Sequence, residues 1–457
     1  MDRQEIPDEK LNYFTMKRSI AVTLVVCACL LHVPTLSLAQ AAAGRLPNGL
    51  QVYYVSRPGT ALCTIDLWVR AGSVYERPGE YGCAHFLEHT LFDGSGKYPD
   101  GAADIAVESL GGIMNAATGP DYAHFYTTVQ AQHTAAALGV MANMLQQALI
   151  PQAGVERERK VILDELALRS GDADERVVDA VYASAFPESA YGRSPGGTST
   201  AILARTRDEI SAFYHRRYQP RFTNLVLTGD ITRGEALAMA SMAFGSWRNE
   251  PSSEGTPRNQ LHVPQPSLDE FANSVTVSPL SKGAVAVAFR APRASHAKRA
   301  AAMQLMREIL NHDPNFGLDV NARLRSHNAV AAYLPRLNPS LFVVVATLKP
   351  GDSATTADAI VKDIEQSVVQ LNSAVLHPSV AAYAAEELLS GIDLETETLE
   401  GLAYGVGYAA VTDGEGPVTL RSAIHALPLE MLKQVMVSYL QSSFIKVVQL
   451  PRGTVQN

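Results

Sequence analysis

The sequence predicts an α+β protein of two similar halves, each an antiparallel sheet with helices packed mainly on one face. Three observations lead there. The chain has 457 residues, more than one hydrophobic core organises. Short apolar or alternating runs, such as Cys63 to Val69 and Leu341 to Leu348, are interleaved with longer runs at helical spacing. The same outline of strands followed by helices occurs twice, on either side of a stretch at 249–268 rich in Pro, Ser, Asn and Gln. The boundaries that follow are 1–39 as an N-terminal extension, 40–248 as the first domain, 249–268 as a linker and 269–457 as the second domain. A composition of 47% hydrophobic and 18% charged residues suits an ordered protein. The net charge is −8 and no strong Lys/Arg run occurs, so nothing recommends a nucleic-acid partner.

Residues 1–15 are polar. Met16-Lys17-Arg18 then opens an almost unbroken apolar run from Ile20 to Leu31, followed by Ser37-Leu38-Ala39-Gln40. A basic start, an apolar middle and a small-x-small end form a secretory signal. The expectation is translation from Met16, cleavage after Ala39 and a periplasmic or secreted product. An uncleaved membrane anchor is the alternative, although the run is short for a span. Cys27 and Cys29 leave with the signal. Cys63 and Cys83 remain and read as two buried thiols.

In the first domain, Asn48-Gly49 is a turn between strand-like runs. Cys63 to Val69 is a half-buried strand. Next comes Gly82-Cys83-Ala84-His85-Phe86-Leu87-Glu88-His89. On a helix, His85 and His89 lie one above the other on a single face and can share a metal ion. This His-x-x-Glu-His order is the inverse of the commoner zinc motif. Glu88 borders the same face, placed to take a proton from water whose pKa zinc lowers to about 7. The surroundings are apolar, where unpaired His and Glu would be costly to bury. A catalytic zinc needs a third protein ligand. The charged helix Val155 to Leu166, with an apolar stripe at Val155, Ile162 and Leu166, supplies Glu158 and Glu165 two turns apart on one face.

The motif, followed at this distance by such a helix, resembles the pitrilysin family of zinc peptidases. The half-length branch, typified by mitochondrial processing peptidase and its bacterial exported relatives, is closest in size. Leu46-Pro47-Asn48-Gly49-Leu50 and Ala71-Gly72-Ser73 also look like this family. The resemblance implies Glu165 as the third zinc ligand, with one Zn2+ per chain, and Glu158 as the carboxylate supporting the site. It implies that the extended segment at Asn115, Ala116 and Ala117 is an edge strand on which substrate adds as a further strand. It also implies a dimer, either of identical chains or with a related chain lacking the metal motif.

The second domain carries no second His-x-x-Glu-His. Helices are expected at 297–310, 354–371, 378–390 and 398–411. Relatives carry an Arg and a Tyr here that reach back to substrate. Arg325 and Tyr333 are the residues in that region, eight positions apart rather than seven, without the accompanying Glu and Gly. The reading is therefore an exported zinc metalloendopeptidase acting on peptides or unfolded segments. The alternative is a zinc-containing, non-catalytic partner or peptide-binding subunit.

Overall fold

Two sheets, one per half, fix the architecture. The computed structural model describes residues 41–454 apart from 188, 252–265, 267–273, 316, 376, 415–416 and 442–443. The expected signal segment with its cleavage after Ala39, and nearly all of the expected 249–268 linker, lie outside the described residues. The first sheet holds β1 (Ala42–Arg45), β2 (Gln51–Ser56), β3 (Leu62–Val69), β4 (Asn115–Thr118), β5 (Ala123–Gln130) and β6 (Thr223–Gly229), in the order β1-β2-β6-β3-β5-β4. The second holds β7 (Ser274–Val277), β8 (Gly283–Ala291), β9 (Val330–Tyr333), β10 (Ser340–Leu348) and β11 (Ile445–Leu450), in the order β7-β11-β8-β10-β9.

Apart from β1 the two orders correspond strand for strand, so the two halves repeat one topology. Each sheet is antiparallel except for a single parallel pair, β2 with β6 and β7 with β11. In each pair nearly the whole half intervenes between the two strands, and such a long crossover permits parallel pairing. The sheets are thus mixed rather than purely antiparallel.

The helices that build the site and the seam are α1 (Cys83–Phe92), α2 (Gln152–Ser170), α3 (Ala173–Ala185), α4 (Arg207–Arg217), α5 (Ala297–His312) and α6 (Leu399–Thr412). The expected helices at 297–310 and 398–411 appear within two residues of their predicted ends. Each half lays its own helices on one face of its sheet. In the first, Ile65, Leu67 and Phe125 pack with Phe86, Leu87 and Leu91 of α1. In the second, Val285, Val287 and Phe289 pack with Met303, Met306 and Ile309 of α5.

The opposite faces are covered by exchange. Helix α3, from the first half, buries Val177, Val181 and Ala185 against Ala284, Ala286, Ala288, Val343, Val345 and Val447 of the second sheet. Its apolar residues recur every four positions, giving one continuous stripe. The three alanines of β8 keep the sheet surface low enough to seat it. Polar contacts stitch the edges: Thr347 Oγ1 donates to Asp174 at 2.9 Å, and Gln449 Nε2 to the Arg176 carbonyl at 3.3 Å. In return, α6 from the second half lies on the first sheet, where Leu402, Ala403 and Val406 cover Val55, Trp68 and Val226. Thr228 Oγ1 donates to the Leu399 carbonyl at 2.8 Å, and Arg70 reaches the Ala410 carbonyl and Asp413 at 2.8 and 2.7 Å. No described helix is long and apolar enough to cross a membrane.

The closest fit in the exchange is Gly407 on Trp68. A Cβ at Gly407 would stand 2.0 Å from Trp68 Nε1. Gly407→Ala gains about 1 kcal/mol of helix propensity, but overpacking a closed site typically costs about 1–3 kcal/mol. With so severe an overlap the second effect wins. The denaturant midpoint should fall, with both halves unfolding in one transition; an unchanged or raised midpoint would refute this account of the seam.

Candidate metal centre

Helix α1 is fixed at both ends before any metal is considered. It begins at Gly82, in the left-handed region at φ 91°, where a Cβ would lie 2.7 Å from Ile202 Cδ1. Two N–H groups of its first turn, from Gly82 and Ala84, donate to Glu76 Oε1 at 3.0 and 2.9 Å. A carboxylate there also opposes the positive end of the helix dipole. Glu76 is buried, and desolvation pushes its carboxyl up to about 7 despite those two bonds and the nearby Arg193. At the far end, Asp93 is buried and takes an ion pair from Arg157 of α2. Glycine at 154 leaves room for that carboxylate, since a Cβ would meet it at 2.3 Å.

The core face of α1 carries Cys83, Ala84, Phe86, Leu87 and Leu91, all fully buried. His85, Glu88 and His89 are half-buried on the face toward α2. His85 Nε2 and His89 Nε2 are 3.3 Å apart, and Glu165 Oε2 stands 3.5 Å from the first and 3.4 Å from the second. This nearly equilateral triangle is one face of a tetrahedron. Ligand atoms bonded at about 2.0–2.1 Å to one tetrahedral ion are separated by about 3.3–3.4 Å. Among the described residues it is the one cluster of His, Cys, Asp and Glu that could hold a metal. Behind it, His89 Nδ1 lies 3.2 Å from Glu158 Oε2, a contact that orients the ring and leaves Nε2 toward the triangle.

The electrostatics suit the same use. Burial lowers the His85 pKa and keeps the imidazole neutral, the form that ligates. Burial also acts to lower the pKa of His89, but the hydrogen bond and charge of Glu165, with Glu88 and Glu158, outweigh it and raise it. The hydrogen bond with His89 holds Glu165 below the usual carboxylate range. Glu88 Oε2 is buried and has no hydrogen-bond partner among the described residues. Tyr218 lies buried close by, its pKa well above normal through desolvation and then through the charge of Glu88.

The remaining sequence-predicted residues separate into two groups. β4 is the open edge of the first sheet, as expected, with Asn115 and Ala117 exposed and Ala116 half-buried. Arg325 and Tyr333 do not come to the site within the chain. Tyr333 is buried and its hydroxyl donates to the Pro292 carbonyl at 2.7 Å, because β9 pairs with β10 and turns its ring into the second core. Arg325 is spent on the Asp319 carbonyl at 3.0 Å. Within the chain the printed contacts of both residues are thus to their own half. Cys63 and Cys83 are both free and buried, with burial pushing the thiols up to about 11 and about 12. The capping role of Glu76 and the position of Tyr218 beside Glu88 escaped the sequence reading. Two acidic residues precede the helix, Glu76 and Glu80, and nothing in their spacing says which of them caps it.

Comparison with known proteins agrees with this architecture. Residues 51–199 match the family described as insulinase (peptidase family M16), and residues 205–375 match the peptidase M16 inactive domain. Together these matches span more than half of the chain, which belongs to the M16 peptidase family. It is 26% identical over 429 residues to a probable mitochondrial-processing peptidase subunit beta of Arabidopsis thaliana, covering 91% of this chain and 79% of the relative. It is 32% identical over 199 residues to an uncharacterized zinc protease of Streptomyces coelicolor, covering 44% of this chain and 43% of the relative. The chain thus matches less than half the length of that zinc protease. The crystal structure of a protease from Helicobacter pylori aligns with a TM-score of 0.81 at 19% identity, over 89% of this chain and 98% of that one, which shows a shared fold.

Glu76 gives a pH test of the helix anchor. Its carboxyl titrates near 4.5 when unfolded and about 7 when folded. Below about 4.5 it is protonated in both states. Between those values the folded protein holds the extra proton, so its contribution to stability declines as pH rises and levels off above about 7. The slope is at most about 1.4 kcal/mol per pH unit. The stability difference between wild type and Glu76→Gln should follow that course in denaturant titrations; a difference that ignores pH across the window would contradict it.

Proposed function

We propose that the chain is an exported zinc metalloendopeptidase that hydrolyses peptide bonds in peptides or unfolded segments. The observation that carries this reading is the 3.3–3.5 Å triangle of His85, His89 and Glu165 with the unpartnered carboxylate oxygen of Glu88 beside it. Membership of a peptidase family supports it, as does similarity to a protein named a zinc protease. His85, His89 and Glu165 would hold the ion, and Glu158 would steady His89. Bound there, zinc would lower the pKa of water and polarise a substrate carbonyl. Glu88 takes the proton from the attacking water and passes it to the departing amine, as a base held within reach of both. The exposed edge of β4 offers backbone hydrogen bonds to an extended peptide of any sequence.

Export rests on the pattern from Met16 to Gln40. The product would be periplasmic or secreted, and an uncleaved anchor is the alternative. A dimer, of two such chains or with a relative lacking the metal motif, is supported by the likeness to a protein named as a subunit. It also fits the commitment of Tyr333 and Arg325 within their own half, which leaves any substrate contact from that region to a second chain. One observation favours the non-catalytic alternative. Residues 205–375, which run from the end of the first half into the second, match a domain described as inactive, and the second half contributes no described side chain to the triangle.

His85→Ala, His89→Ala and Glu165→Gln should each lower zinc content measured by elemental analysis. Glu158→Gln should weaken metal affinity or activity by about 10–100-fold. Glu88→Gln should keep its zinc and still bind peptide, while cleavage drops by about 10²–10⁴-fold. If wild type with its partner present cleaves nothing that Glu88→Gln does not, the chain is a binding subunit instead. Protein recovered from the cell envelope should begin at or near Gln40; a chain still starting at Met1 or Met16 would instead support an anchor or a cytoplasmic protein.

A further inference from the structure

The turn that joins β4 to β5, Gly119-Pro120-Asp121-Tyr122, is held from two sides by residues distant in the chain. On one side, the Gly119 and Pro120 carbonyls accept from the N–H groups of Ser73 and Val74 at 3.4 and 3.0 Å. Glycine is needed at 72, because a Cβ there would overlap both carbonyl oxygens and Tyr122 N. Ser73 and Val74 lead directly into Glu76, which caps α1.

On the other side stands Asp121. An aspartate in a tight turn ordinarily points to water, but this one is 2% exposed. Its Oδ1 accepts from the Tyr191 hydroxyl at 2.6 Å, and its Oδ2 from the Leu337 N–H at 3.2 Å. The Tyr191 oxygen in turn accepts from the Asn338 N–H at 3.1 Å. Leu337 and Asn338 lie between β9 and β10, so the second half supplies two backbone donors to the cluster. Tyr191 is itself buried against Phe186, with ring centroids 5.7 Å apart, and the Arg336 guanidinium lies over its ring at 5.1 Å. Five residues beyond Tyr191, Gly196 lies against the metal site, where a Cβ would stand 3.6 Å from His85 Nδ1. One carboxylate thus joins the β4–β5 turn, the loop beside His85 and the second half. A buried carboxylate is a costly choice unless its donors are all in place, so the cluster forms only when these three segments are correctly set.

The strand that this turn controls has little else to fix it. β4 is four residues long and pairs with β5 alone. The Gly119 N–H donates to the Tyr122 carbonyl at 2.8 Å. Antiparallel alternation from that pair turns the N–H and C=O groups of Ala116 and Thr118 to the open edge. A slip of one residue would bring the other set of backbone groups to the edge and reverse the side chains.

We infer that Asp121 is a positioning residue for peptide hydrolysis: by fixing the β4–β5 turn to Tyr191 and Leu337, it sets the register in which an extended peptide on β4 meets the triangle of His85, His89 and Glu165. The inference deepens the peptidase reading and rests on it. It also makes that register depend on the second half, through the loop at 336–338.

The test compares the full mature chain with Asp121→Asn and Tyr191→Phe, on an unstructured peptide chosen from a library because wild type cuts it at one dominant bond. The amide of Asn cannot accept at both positions, and Phe removes only the hydroxyl. In Asp121→Asn, kcat should fall about 10–100-fold, the usual consequence of a misplaced reacting bond, while KM changes little and zinc content is unchanged. Mass spectrometry should show new cuts one or two residues from the original bond. Tyr191→Phe should do the same to a smaller degree, and it decides alone if Asp121→Asn fails to fold. Met306→Ala, in the distant apolar core of the second half, should lower the melting temperature without adding cuts. If both cluster variants cut the same single bond at the wild-type rate, or if Met306→Ala scatters the cuts equally, Asp121 merely stabilises the fold and the peptidase reading stands. If wild type cuts no peptide of the library, the peptidase reading falls and takes this role with it.

Discussion

The exchange of helices α3 and α6 is the constraint on which the rest of the molecule depends. Each sheet has two apolar faces, and the helices of its own half cover only one. The other face would expose Trp68 and Val226 in the first half, or the alanine row of β8 in the second, to water. Each half supplies the missing cover to its counterpart. Burial of this apolar surface is worth about 25 cal/mol per Å², and neither half can obtain it alone. The exchange also explains why Gln449 of β11 borders a cavity that begins at Leu166 of α2.

The triangle of candidate metal ligands hangs from this frame. His85 and His89 share one helix, so their spacing follows from the α-helical repeat. Glu165 comes from another helix, and its 3.4–3.5 Å approach requires α1 and α2 to be locked together. The Asp93–Arg157 pair ties the end of α1 to α2, and Glu76 fixes the start of α1. Both use buried carboxylates, which keep their place only where donors meet them. Glu88 Oε2 is buried without a partner among the described residues, as is Asp93 Oδ2, but the other oxygen of Asp93 is paired with Arg157. An unsatisfied carboxylate is a liability in a core and an advantage in a base that must receive a proton.

The two halves illustrate how one topology diverges in use. β4 and β9 are corresponding edge strands, and each follows the first long helix of its half. In the first half that helix carries the His-x-x-Glu-His motif. In the second, α5 presents Met303, Met306 and Ile309 to a purely apolar core. Tyr333, at the end of β9, is buried there with its hydroxyl fixed on Pro292. The second half therefore contributes to the molecule mainly by packing and by α6.

The sequence by itself determined most of the elements and named the candidate metal ligands. Periodicity placed α1, α5 and α6 and the strands β3 and β10 to within two or three residues, because those patterns are local. The His-x-x-Glu-His spacing fixed two ring nitrogens on one face, for the same reason. Likeness to a known family supplied Glu165 and Glu158, which no local rule connects to α1. Only the tertiary structure decided the rest. Helix α3 was not anticipated, and nothing in the spacing of Val177, Val181 and Ala185 says which sheet they cover. The parallel strand pairs, the seating of Trp68 on Gly407, the cap from Glu76 and the inward turn of Tyr333 all join residues far apart in the chain or depend on which face of a strand is covered. Such contacts are settled by which surfaces fit and which polar groups remain to be paired, and that competition exists only once both halves have folded together.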